Sequence, residues 1–520
     1  MERRRFLEGA LALGGIAAAS SAGFVVPAGA APALGPRNDF ADLARRLTGR
    51  LLLPGGARYR SDRLLFNAAY DYVRPAAIAQ VADVDDVRTV IDFAVDNDIE
   101  LVGRCGGHSF AGLSTGPGLV LDVSSIKSVT PDLGANTTTV GAGARLIDVA
   151  AALRRTERAI PSGSCPSVGI SGLTLGGGIG NLTRRYGLTS DSLRALELVT
   201  ADGQVLRASE HEHADLFWAC RGGGGGNFGI VTEFEFELRP VDFAFNRFEL
   251  TWPWEQRARA FAAWQEWSVE APAGTTGTFT FTTGGPRVRT PAVTVEGLFM
   301  GDADDSAAFV ADLERRVGTR PVDHQSVVTD YFHGEKDEFC DDLPLAECRP
   351  AYQSPQGKLP RLALSVKSDF VTTAWADDAV AVISEWIERR QRDSLMTRAP
   401  SSMNLGKVFL QTMGGAAGDV PADATAFPHR SAEFSVQFQS RWSVDAPVDV
   451  REANIEWLRG FYAAMTPWRS GSAYVNYTDV DLVDWPRAYY GPNVDRLLAV
   501  KRAYDPRNVF HSRQSIPVTA

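Results

Sequence analysis

Three glycine-rich loops in the first half of the chain have the composition needed to hold a large anionic ligand. The first loop is Cys105-Gly106-Gly107-His108, and the second spans 163–172 around Cys165 before continuing through 175–180. The third loop occupies 221–229. Glycine has no Cβ atom, so it lets backbone N–H groups approach a ligand closely. Because each loop lies between segments patterned as strands, we interpret the loops as a site for a dinucleotide pyrophosphate rather than as flexible surface loops.

The third loop also contains a misleading motif. Gly224, Gly226 and Gly229 have the spacing of the nicotinamide-dinucleotide fingerprint, which must follow a strand and open a helix. Here a helical stretch at 214–220 precedes the loop and a strand at 230–238 follows it. The reversed order argues against a Rossmann fold.

Hydrophobic periodicity predicts the elements that position these loops. A helix is predicted at 85–97, and a short strand at 100–102 runs directly into the first loop. Residues 34 to about 60 are interpreted as a lead-in to the fold. Asp202-Gly203 is a good hairpin turn between strand-like segments. The remaining predicted elements are strands at 119–123, 137–140, 193–200, 205–208 and 232–238, and a helix at 146–155.

The second half of the chain mixes long strands with amphipathic helices, which indicates an α+β domain with a largely antiparallel sheet. Its aromatic residues Trp252, Trp254, Phe279 and Phe281 suit a sugar or polycyclic ligand, but such residues more often belong to a core. The predicted strands are 276–283, 292–300 and 434–442, and the predicted helices are 306–317, 375–390 and 450–465.

Charge and cysteine content exclude several classes of protein. The net charge is −10 with no block of like charge, whereas a nucleic-acid-binding protein is expected to present a basic face. Five cysteines without a C-x-x-C spacing are too few for a disulfide scaffold and predict no metal site. Cys340 and Cys348 flank a short Asp/Pro-rich segment, and their pairing in an oxidising compartment stays open.

The N-terminus, residues 1–30, is predicted to be an export signal and not part of the fold. Arg3-Arg4-Arg5-Phe6-Leu7 precedes an apolar Ala/Gly-rich stretch, and Ala28-Gly29-Ala30 offers a cleavage site. Paired arginines favour the twin-arginine route, which carries folded proteins, over an ordinary secretory signal. No other segment approaches the ~20 apolar residues of a spanning helix, so we expect an exported protein with no membrane association after cleavage.

The loops together resemble the FAD-binding (PCMH-type) module of the vanillyl-alcohol oxidase superfamily, and within it the berberine-bridge-enzyme-like oxidases. Arg104-Cys105-Gly106-Gly107-His108-Ser109 resembles the family loop whose histidine binds the flavin 8α carbon. The segment 163–169 resembles the loop whose cysteine binds flavin C6. Further similar motifs are Leu216-Phe217-Trp218-Ala219, Asn227-Phe228-Gly229, Tyr489-Tyr490-Gly491-Pro492-Asn493 and Tyr504-Asp505-Pro506-Arg507-Asn508.

The resemblance implies a domain arrangement and a cofactor. The fold would comprise a two-subdomain FAD-binding domain at 31–240 with its core at about 70–240, and a substrate domain at 241–470 whose antiparallel sheet is covered by helices. A C-terminal segment, 471–520, would return to the FAD domain. FAD would be attached bicovalently through His108 and Cys165. The other cofactor-binding residues implied are Arg104, Gly106, Gly107, Ser109, Gly169, Gly172, Gly176, Gly180, Val231 and Asn508. Cys105 and Leu173 replace the Ser and His that are usual in the family.

The resemblance also implies a catalytic base. Tyr474-Val475-Asn476-Tyr477 resembles the family segment that faces the flavin, and it assigns Tyr477 as the base. A phenol has a pKa near ~10, so it needs a nearby positive charge or a hydrogen-bonding partner to act as one. Met413 stands where a second tyrosine is common, and Gln411 offers a hydrogen bond instead. Lys367-Ser368-Asp369-Phe370 is interpreted as structural support.

Three functions follow. The first is an oxidase that converts a hydroxyl carbon of a sugar or secondary metabolite to a carbonyl and reduces O2 to hydrogen peroxide. The second couples the same flavin to ring closure or desaturation of a natural product. The third is a secreted binding protein without redox chemistry, which the presence of His108, Cys165 and Tyr477 disfavours. The expected partners are a small-molecule substrate and O2.

Overall fold

The computed structural model describes residues 39–284, 290–340, 343–397 and 405–519. The predicted signal segment, 1–30, lies outside these residues. The strands are β1 (Arg50–Leu52), β2 (Ala77–Gln80), β3 (Leu101–Arg104), β4 (Leu119–Asp122), β5 (Val129–Asp132), β6 (Thr137–Gly141), β7 (Arg158–Ala159), β8 (Leu193–Val199), β9 (Val205–Ser209), β10 (Ile230–Glu237), β11 (Arg239–Pro240), β12 (Phe245–Pro253), β13 (Thr275–Thr282), β14 (Ala292–Met300), β15 (Asp323–Thr329), β16 (Ala363–Val371), β17 (Gly406–Thr412) and β18 (Phe434–Trp442).

Helices connect and cover these strands. They are α1 (Phe40–Arg46), α2 (Tyr59–Asp62), α3 (Val84–Asp96), α4 (Leu146–Leu153), α5 (Ile170–Leu175), α6 (Thr183–Tyr186), α7 (Ala214–Ala219), α8 (Arg257–Val269), α9 (Ala303–Val317), α10 (Tyr331–Cys340), α11 (Asp377–Arg392), α12 (Ser394–Thr397), α13 (Val448–Ala464), α14 (Trp485–Tyr490) and α15 (Val494–Tyr504). Among the residues described, no helix is long and apolar enough to span a bilayer.

Two sheets in the first half of the chain share one core. The first has the order β1-β2-β4-β3, with β2, β4 and β3 parallel, and the second is an antiparallel sheet of order β5-β6-β10-β8-β9. The amphipathic helix α3 contributes Val87, Val90 and Ile91 to this core. Asp83 caps its N-terminus by accepting from the backbone N–H of Asp86, as an N-cap aspartate commonly does.

The second half forms a seven-stranded sheet of order β15-β12-β14-β13-β17-β18-β16, in which every neighbouring pair is antiparallel. One face packs against α8, α11 and α13 in a large aromatic core. This architecture confirms the predicted α+β fold. The aromatic residues considered as ligand contacts lie in that core: Trp252, Trp254, Phe279 and Phe281.

The opposite face of this sheet is polar because side chains alternate along a strand. Phe434, Val436 and Phe438 point to the aromatic core, so Gln437 and Gln439 of β18 point away from it. Thr276 lies on the polar face, and its hydroxyl donates to the carbonyl oxygen of Asn181 at 2.6 Å. The polar face is therefore turned towards the segment that follows the second glycine-rich loop.

Several local predictions are confirmed, and one is wrong. Strands β8 and β9 form the hairpin expected at Asp202-Gly203. Helix α7 precedes the third loop and β10 follows it, so the Gly224 motif lacks the context of a nicotinamide-dinucleotide site. The predicted lead-in is part of the fold, since β1 pairs with β2 from Arg50↔Gln80 to Leu52↔Ile78. Strand β1 could not be predicted because three residues are too few to show the alternation of polar and apolar side chains.

The C-terminal part of the chain contacts the glycine-rich loops at several points. Nδ2 of Asn476 donates to the carbonyl oxygen of Leu173 at 3.1 Å. The hydroxyl of Tyr490 donates to the carbonyl oxygen of Gly223 at 2.8 Å. Nζ of Lys501 donates to the carbonyl oxygens of Asn227 and Phe510 at 2.8 and 2.6 Å, and it forms a fully buried ion pair of 2.7 Å with Asp505.

Replacing Lys501 tests this anchor. Lys501→Met leaves the Asp505 carboxylate buried without its counter-charge, so we expect a loss of about 3–5 kcal/mol in the free energy of unfolding. The matched control is Lys358→Met, because the Lys358–Glu347 pair is largely exposed on the lysine side and such pairs contribute about 1 kcal/mol or less. Denaturant unfolding measures both losses, and equal small losses would contradict the assignment.

Candidate active site

The first glycine-rich loop begins directly at the end of β3. Arg104 closes this strand opposite Asp122 of β4, and its Nε and Nη2 donate to Oδ2 of Asp122 at 3.0 and 2.7 Å. Both side chains are buried, and such a charge-assisted pair orients the guanidinium strongly. The loop that carries His108 therefore starts from a fixed point at the sheet edge.

The first two glycine-rich loops pack backbone against backbone. A Cβ atom on Gly106 would collide with the backbone nitrogen of Gly169, and one on Gly169 would collide with Sγ of Cys105 and the backbone of Gly106. These glycines are needed for contact between the loops, whereas the sequence had assigned them to approach of a ligand. Gly172 differs, since no atom lies within 4 Å of its Cβ position.

One hydroxyl joins the two predicted attachment residues. Oγ of Ser167 lies 2.8 Å from Nε2 of His108 and 3.6 Å from Sγ of Cys165. The ring of Phe66 stacks on the His108 imidazole with centroids 4.1 Å apart. The structure thus brings together two side chains that lie 57 positions apart in the sequence.

Burial sets the protonation of both groups. It lowers the pKa of His108 to about 3, with the positive charge of Arg145 acting in the same direction, so the imidazole is neutral at pH 7 and keeps a free lone pair. Burial raises the pKa of the Cys165 thiol. Neutral imidazole is the nucleophilic form of histidine, and thiolate is that of cysteine.

A segment after α10 closes over both loops. The hydroxyl of Tyr352 donates to the carbonyl oxygen of Gly106 at 2.8 Å. Nε2 of Gln353 donates to the carbonyl oxygens of Gly106 and Ser167, each at 2.9 Å. A single amide therefore ties the first loop to the second. Cys340 and Cys348, whose pairing the sequence left open, form a disulfide just before this segment.

A cleft of about 860 Å³ opens beside the first loop, and its wall fits FAD. Nη1 of Arg104, Nε of Arg145 and Oε1 of Gln353 are buried there without a hydrogen-bond partner in the described part of the chain. Unpartnered guanidinium N–H groups in a cleft are suited to phosphate oxygens. The cleft's other cationic side chains are Arg50, Arg58, Lys127 and Arg349.

Tyr477 ends a short 3₁₀ helix at Val475–Tyr477 and packs near the attachment residues. Its ring lies 5.8 Å from that of Phe110 and 4.9 Å from that of Tyr474. Phe66, which stacks on His108, belongs to the same apolar cluster. Burial, with Tyr474 adding to it, raises the pKa of Tyr477. Among the described groups, neither a cation nor a hydrogen-bonding partner offsets this rise, so neither of the two kinds of group that the sequence required for the base is found.

The segment containing Tyr477 is held by buried polar contacts. Nζ of Lys367 donates to both carboxylate oxygens of Asp479 at 2.9 and 2.8 Å. The backbone N–H of Tyr474 donates to Oγ of Ser368 at 3.0 Å. The Tyr474 hydroxyl accepts hydrogen bonds from the backbone N–H groups of Gly178 and Ile179 and from Nδ2 of Asn476. Tyr474 therefore acts as a link to the second loop, and the 367–370 motif supports the site.

The other implied cofactor residues are distributed over the FAD-binding half of the chain, apart from Asn508 near the C-terminus. Gly107 lines the cleft with Arg104 and Gly106. Oγ of Ser109 accepts from the backbone N–H of Leu113 at 3.0 Å. The remaining positions do not line that cleft: Gly176 packs against Asn476, Gly180 packs against Ser162, Val231 pairs with Leu198, and Asn508 has a positive φ of 54°.

Sequence reasoning missed the residues that complete the site. Ser167 lies inside a loop that was recognised, but its hydroxyl carries no pattern of its own. Arg145 lies just before the predicted helix at 146–155 and was given no role, although its Nη1 donates to the carbonyl oxygen of Gly143 at 2.6 Å and contacts Sγ of Cys105. Tyr352 and Gln353 follow the first loop by more than 240 positions, so no local signal points to them.

The comparisons with known proteins agree with this site. Residues 75–209 match the model of the FAD binding domain, and residues 473–517 match the model described as berberine and berberine like. A protein of Bacillus subtilis (strain 168) named uncharacterized FAD-linked oxidoreductase YgaK is 32% identical, over 91% of this chain and 97% of its own length.

Solved structures show the same fold. Physcomitrella patens BBE-like 1 superposes with a TM-score of 0.82 at 25% identity, covering 92% of this chain and 99% of its own. A chitooligosaccharide oxidase superposes with a TM-score of 0.78 at 24% identity and the same coverage. The fold and the matched domains define an FAD-linked oxidoreductase of the PCMH-type superfamily. Within that superfamily, the chain belongs to the berberine bridge enzyme-like family.

Two glycine substitutions test the packing of the loops. Gly169→Ala forces a Cβ atom into the first loop, and we expect it to destabilise the protein by about 1–3 kcal/mol and to reduce the flavin content. Gly172→Ala is the matched control in the same loop, because its Cβ enters open space. Thermal unfolding and the ratio of flavin to protein absorbance check both effects. A stable, fully flavinylated Gly169→Ala protein would show that the loops do not depend on this contact.

Proposed function

We propose that this protein is an exported FAD-dependent oxidase that converts a hydroxyl carbon of a sugar or secondary metabolite to a carbonyl, with O2 reduced to hydrogen peroxide. The convergence of His108 and Cys165 on the Ser167 hydroxyl is the observation that carries this proposal. It supports attachment of FAD through both residues, beside the cluster that contains Tyr477.

Bound FAD supplies a hydride acceptor, and the protein supplies orientation and proton transfer. His108 and Cys165 would hold the cofactor, while Arg104 and Arg145 would face its phosphates from the cleft wall. The neutral imidazole of His108 has the lone pair that bond formation requires. The short distance from Ser167 to each group keeps the two attachment points fixed relative to one another.

Tyr477 is proposed as the base that takes the hydroxyl proton of the substrate. Its hydroxyl makes no hydrogen bond to another described residue, whereas that of Tyr474 is fully engaged. A free phenol group on a firmly held segment is suited to proton transfer. Because its pKa is raised, the phenol is protonated at neutral pH, and the phenolate that can accept a proton becomes more abundant only as pH rises.

A polar substrate is favoured over a polycyclic one. The sheet face that is turned to the loops carries Gln411, Gln437 and Gln439, while the large aromatic residues of that domain lie in the core. The structural neighbour named chitooligosaccharide oxidase supports a carbohydrate. Ring closure or desaturation with the same flavin remains the second candidate, distinguished by its product.

Export by the twin-arginine route is part of the proposal. The Cys340–Cys348 disulfide is compatible with an oxidising compartment outside the cytoplasm. A protein that acquires its cofactor before export needs a route that accepts folded chains, which agrees with the arginines at positions 3–5.

Attachment of the flavin can be tested directly. After acid denaturation the wild-type pellet should remain yellow, and a digest should contain one flavin species joined to the peptides of His108 and Cys165. Cys165→Ala and His108→Ala should each keep one linkage, and the double variant should release the flavin. Cys220→Ala is the matched control, since this buried thiol lies outside the first two loops. A colourless wild-type pellet would reject covalent attachment.

Tyr477→Phe tests the base. We expect kcat to fall about 10²–10⁴-fold with flavin content unchanged, and the rise of kcat/KM with pH to disappear. Tyr474→Phe should lower stability more than turnover. Oxygen uptake, peroxide release and identification of the product follow the reaction over a panel of sugars. A carbonyl product with stoichiometric peroxide supports the oxidase, whereas a cyclised or desaturated product supports the alternative.

A further inference from the structure

Two cationic side chains, Lys407 and Arg441, are neighbours on the polar face of the seven-stranded sheet. Lys407 of β17 pairs with Gln439 of β18, and Arg441 lies two residues further along β18 on the same face. Such diagonal neighbours have Cα atoms about 7–8 Å apart. Both side chains are half-buried on the sheet face that is turned towards the segment after the second glycine-rich loop.

Neither cation is neutralised by an ion pair within the described ranges. Nζ of Lys407 lies 5.0 Å from the centre of the Phe409 ring. Nε of Arg441 donates to the side-chain oxygen of Gln439, which is uncharged. A carboxylate ligand accepts two parallel hydrogen bonds from a guanidinium, and an adjacent ammonium can add a third.

The carboxylates nearby do not replace such a ligand. Glu296 and Glu338 act on Lys407 only through longer-range electrostatic attraction. Glu338 already accepts a hydrogen bond from Nδ2 of Asn181 at 3.1 Å, and burial raises its pKa, which weakens its negative charge. Glu338 is thus engaged with Asn181, and neither glutamate forms an ion pair with Lys407 or Arg441 among the described residues.

The pKa values of Lys407 and Arg441 show that burial disfavours the charged form of both side chains. Burial, together with the smaller effect of the Arg441 charge, lowers the pKa of Lys407 to about 7, although Glu296 and Glu338 act in the opposite direction. Burial lowers the pKa of Arg441 to about 10. Unpaired buried charges are unfavourable, so an anion bound between the two side chains would offset a penalty that the free protein carries.

Lys407 and Arg441 lie near both the cluster that contains Tyr477 and the second glycine-rich loop. Tyr477 packs against the apolar cluster that contains Val366 of β16. Val366 pairs with Gln439, and Gln439 pairs with Lys407 on its other side. Lys407 is therefore two strand spacings from Val366, or about 10 Å. Arg441 also interacts electrostatically with Cys165, so the cationic pair borders the second loop.

We propose that Lys407 and Arg441 form an anion-binding subsite for a carboxylate on the substrate, so that the enzyme acts on acidic sugars or other acidic polyols. The proposal rests on the oxidase function proposed above and names its substrate class. The distance of about 10 Å between the row of Tyr477 and Lys407 favours a substrate longer than a single sugar ring, with the carboxylate at the end away from the reacting hydroxyl.

Chemical labelling of Lys407 tests the subsite without turnover. The holoenzyme is treated with an amine-reactive reagent, and labelling of the Lys407 peptide is followed by mass spectrometry. Glucuronate and cellobiouronate should protect Lys407, whereas the neutral counterparts glucose, glucuronamide and cellobiose should not. Exposed Lys358 serves as the internal control, whose labelling should not change. If none of the acids protects Lys407 at tens of millimolar, the subsite does not exist.

Steady-state kinetics with the same compounds gives an independent test. We expect kcat/KM for the acid to exceed that for its neutral counterpart by about ten- to a hundredfold, as charge-assisted hydrogen bonds predict. Lys407→Gln should abolish this preference and Lys407→Arg should restore most of it, while Lys358→Gln should leave it unchanged. Equal losses for acidic and neutral substrates in Lys407→Gln would overturn the proposal.

The experiments distinguish failure of the oxidase function from failure of the anion-binding subsite. A yellow protein that oxidises none of the hydroxyl compounds, yet in which acids alone protect Lys407, contradicts the oxidase function and supports the anion subsite. An oxidase that turns over neutral sugars as well as acidic ones, without protection of Lys407, supports the function and rejects the subsite.

Discussion

The site depends on the close packing of two backbone segments at Gly106 and Gly169. No side chain fits between them, so the first loop can lie against the second only at a glycine pair. This contact places Ser167 between His108 and Cys165. The amide of Gln353 then bonds to both loops at once, and the loops behave as a single wall of the cleft.

Much of the fold follows from local patterns in the sequence. The helix α3, the hairpin of β8 and β9, and the long strands β13, β14 and β18 were predicted close to their observed bounds, because each has a clear period or turn. The glycine-rich loops were recognised as well, but for a different reason from the one the structure gives. Several of their glycines make room for protein, at Asn476 and Ser162 as well as between the loops.

The remaining features depend on contacts between distant parts of the chain. Strands β12, β15, β16 and β17 were not predicted, although β15 and β16 form the two edges of the large sheet and β12 and β17 lie within it. The alternation of side chains shows which face of a strand is polar. It does not show which strand is the neighbour in the sheet. Lys407 and Arg441 become a pair only through the register of β17 and β18, and Tyr352 reaches Gly106 from a segment with no motif.

The hydrogen bonds from Gln353 to both loops determine how late in biosynthesis the site can form. Its partners in the two loops precede it by 247 and 186 positions, and Asn476 meets the second loop across 303 positions. A ribosome must therefore complete almost the whole polypeptide before the cleft wall can close. Contacts of such long range also slow folding, so a truncated or stalled chain would have the loops without the enclosure that retains a cofactor.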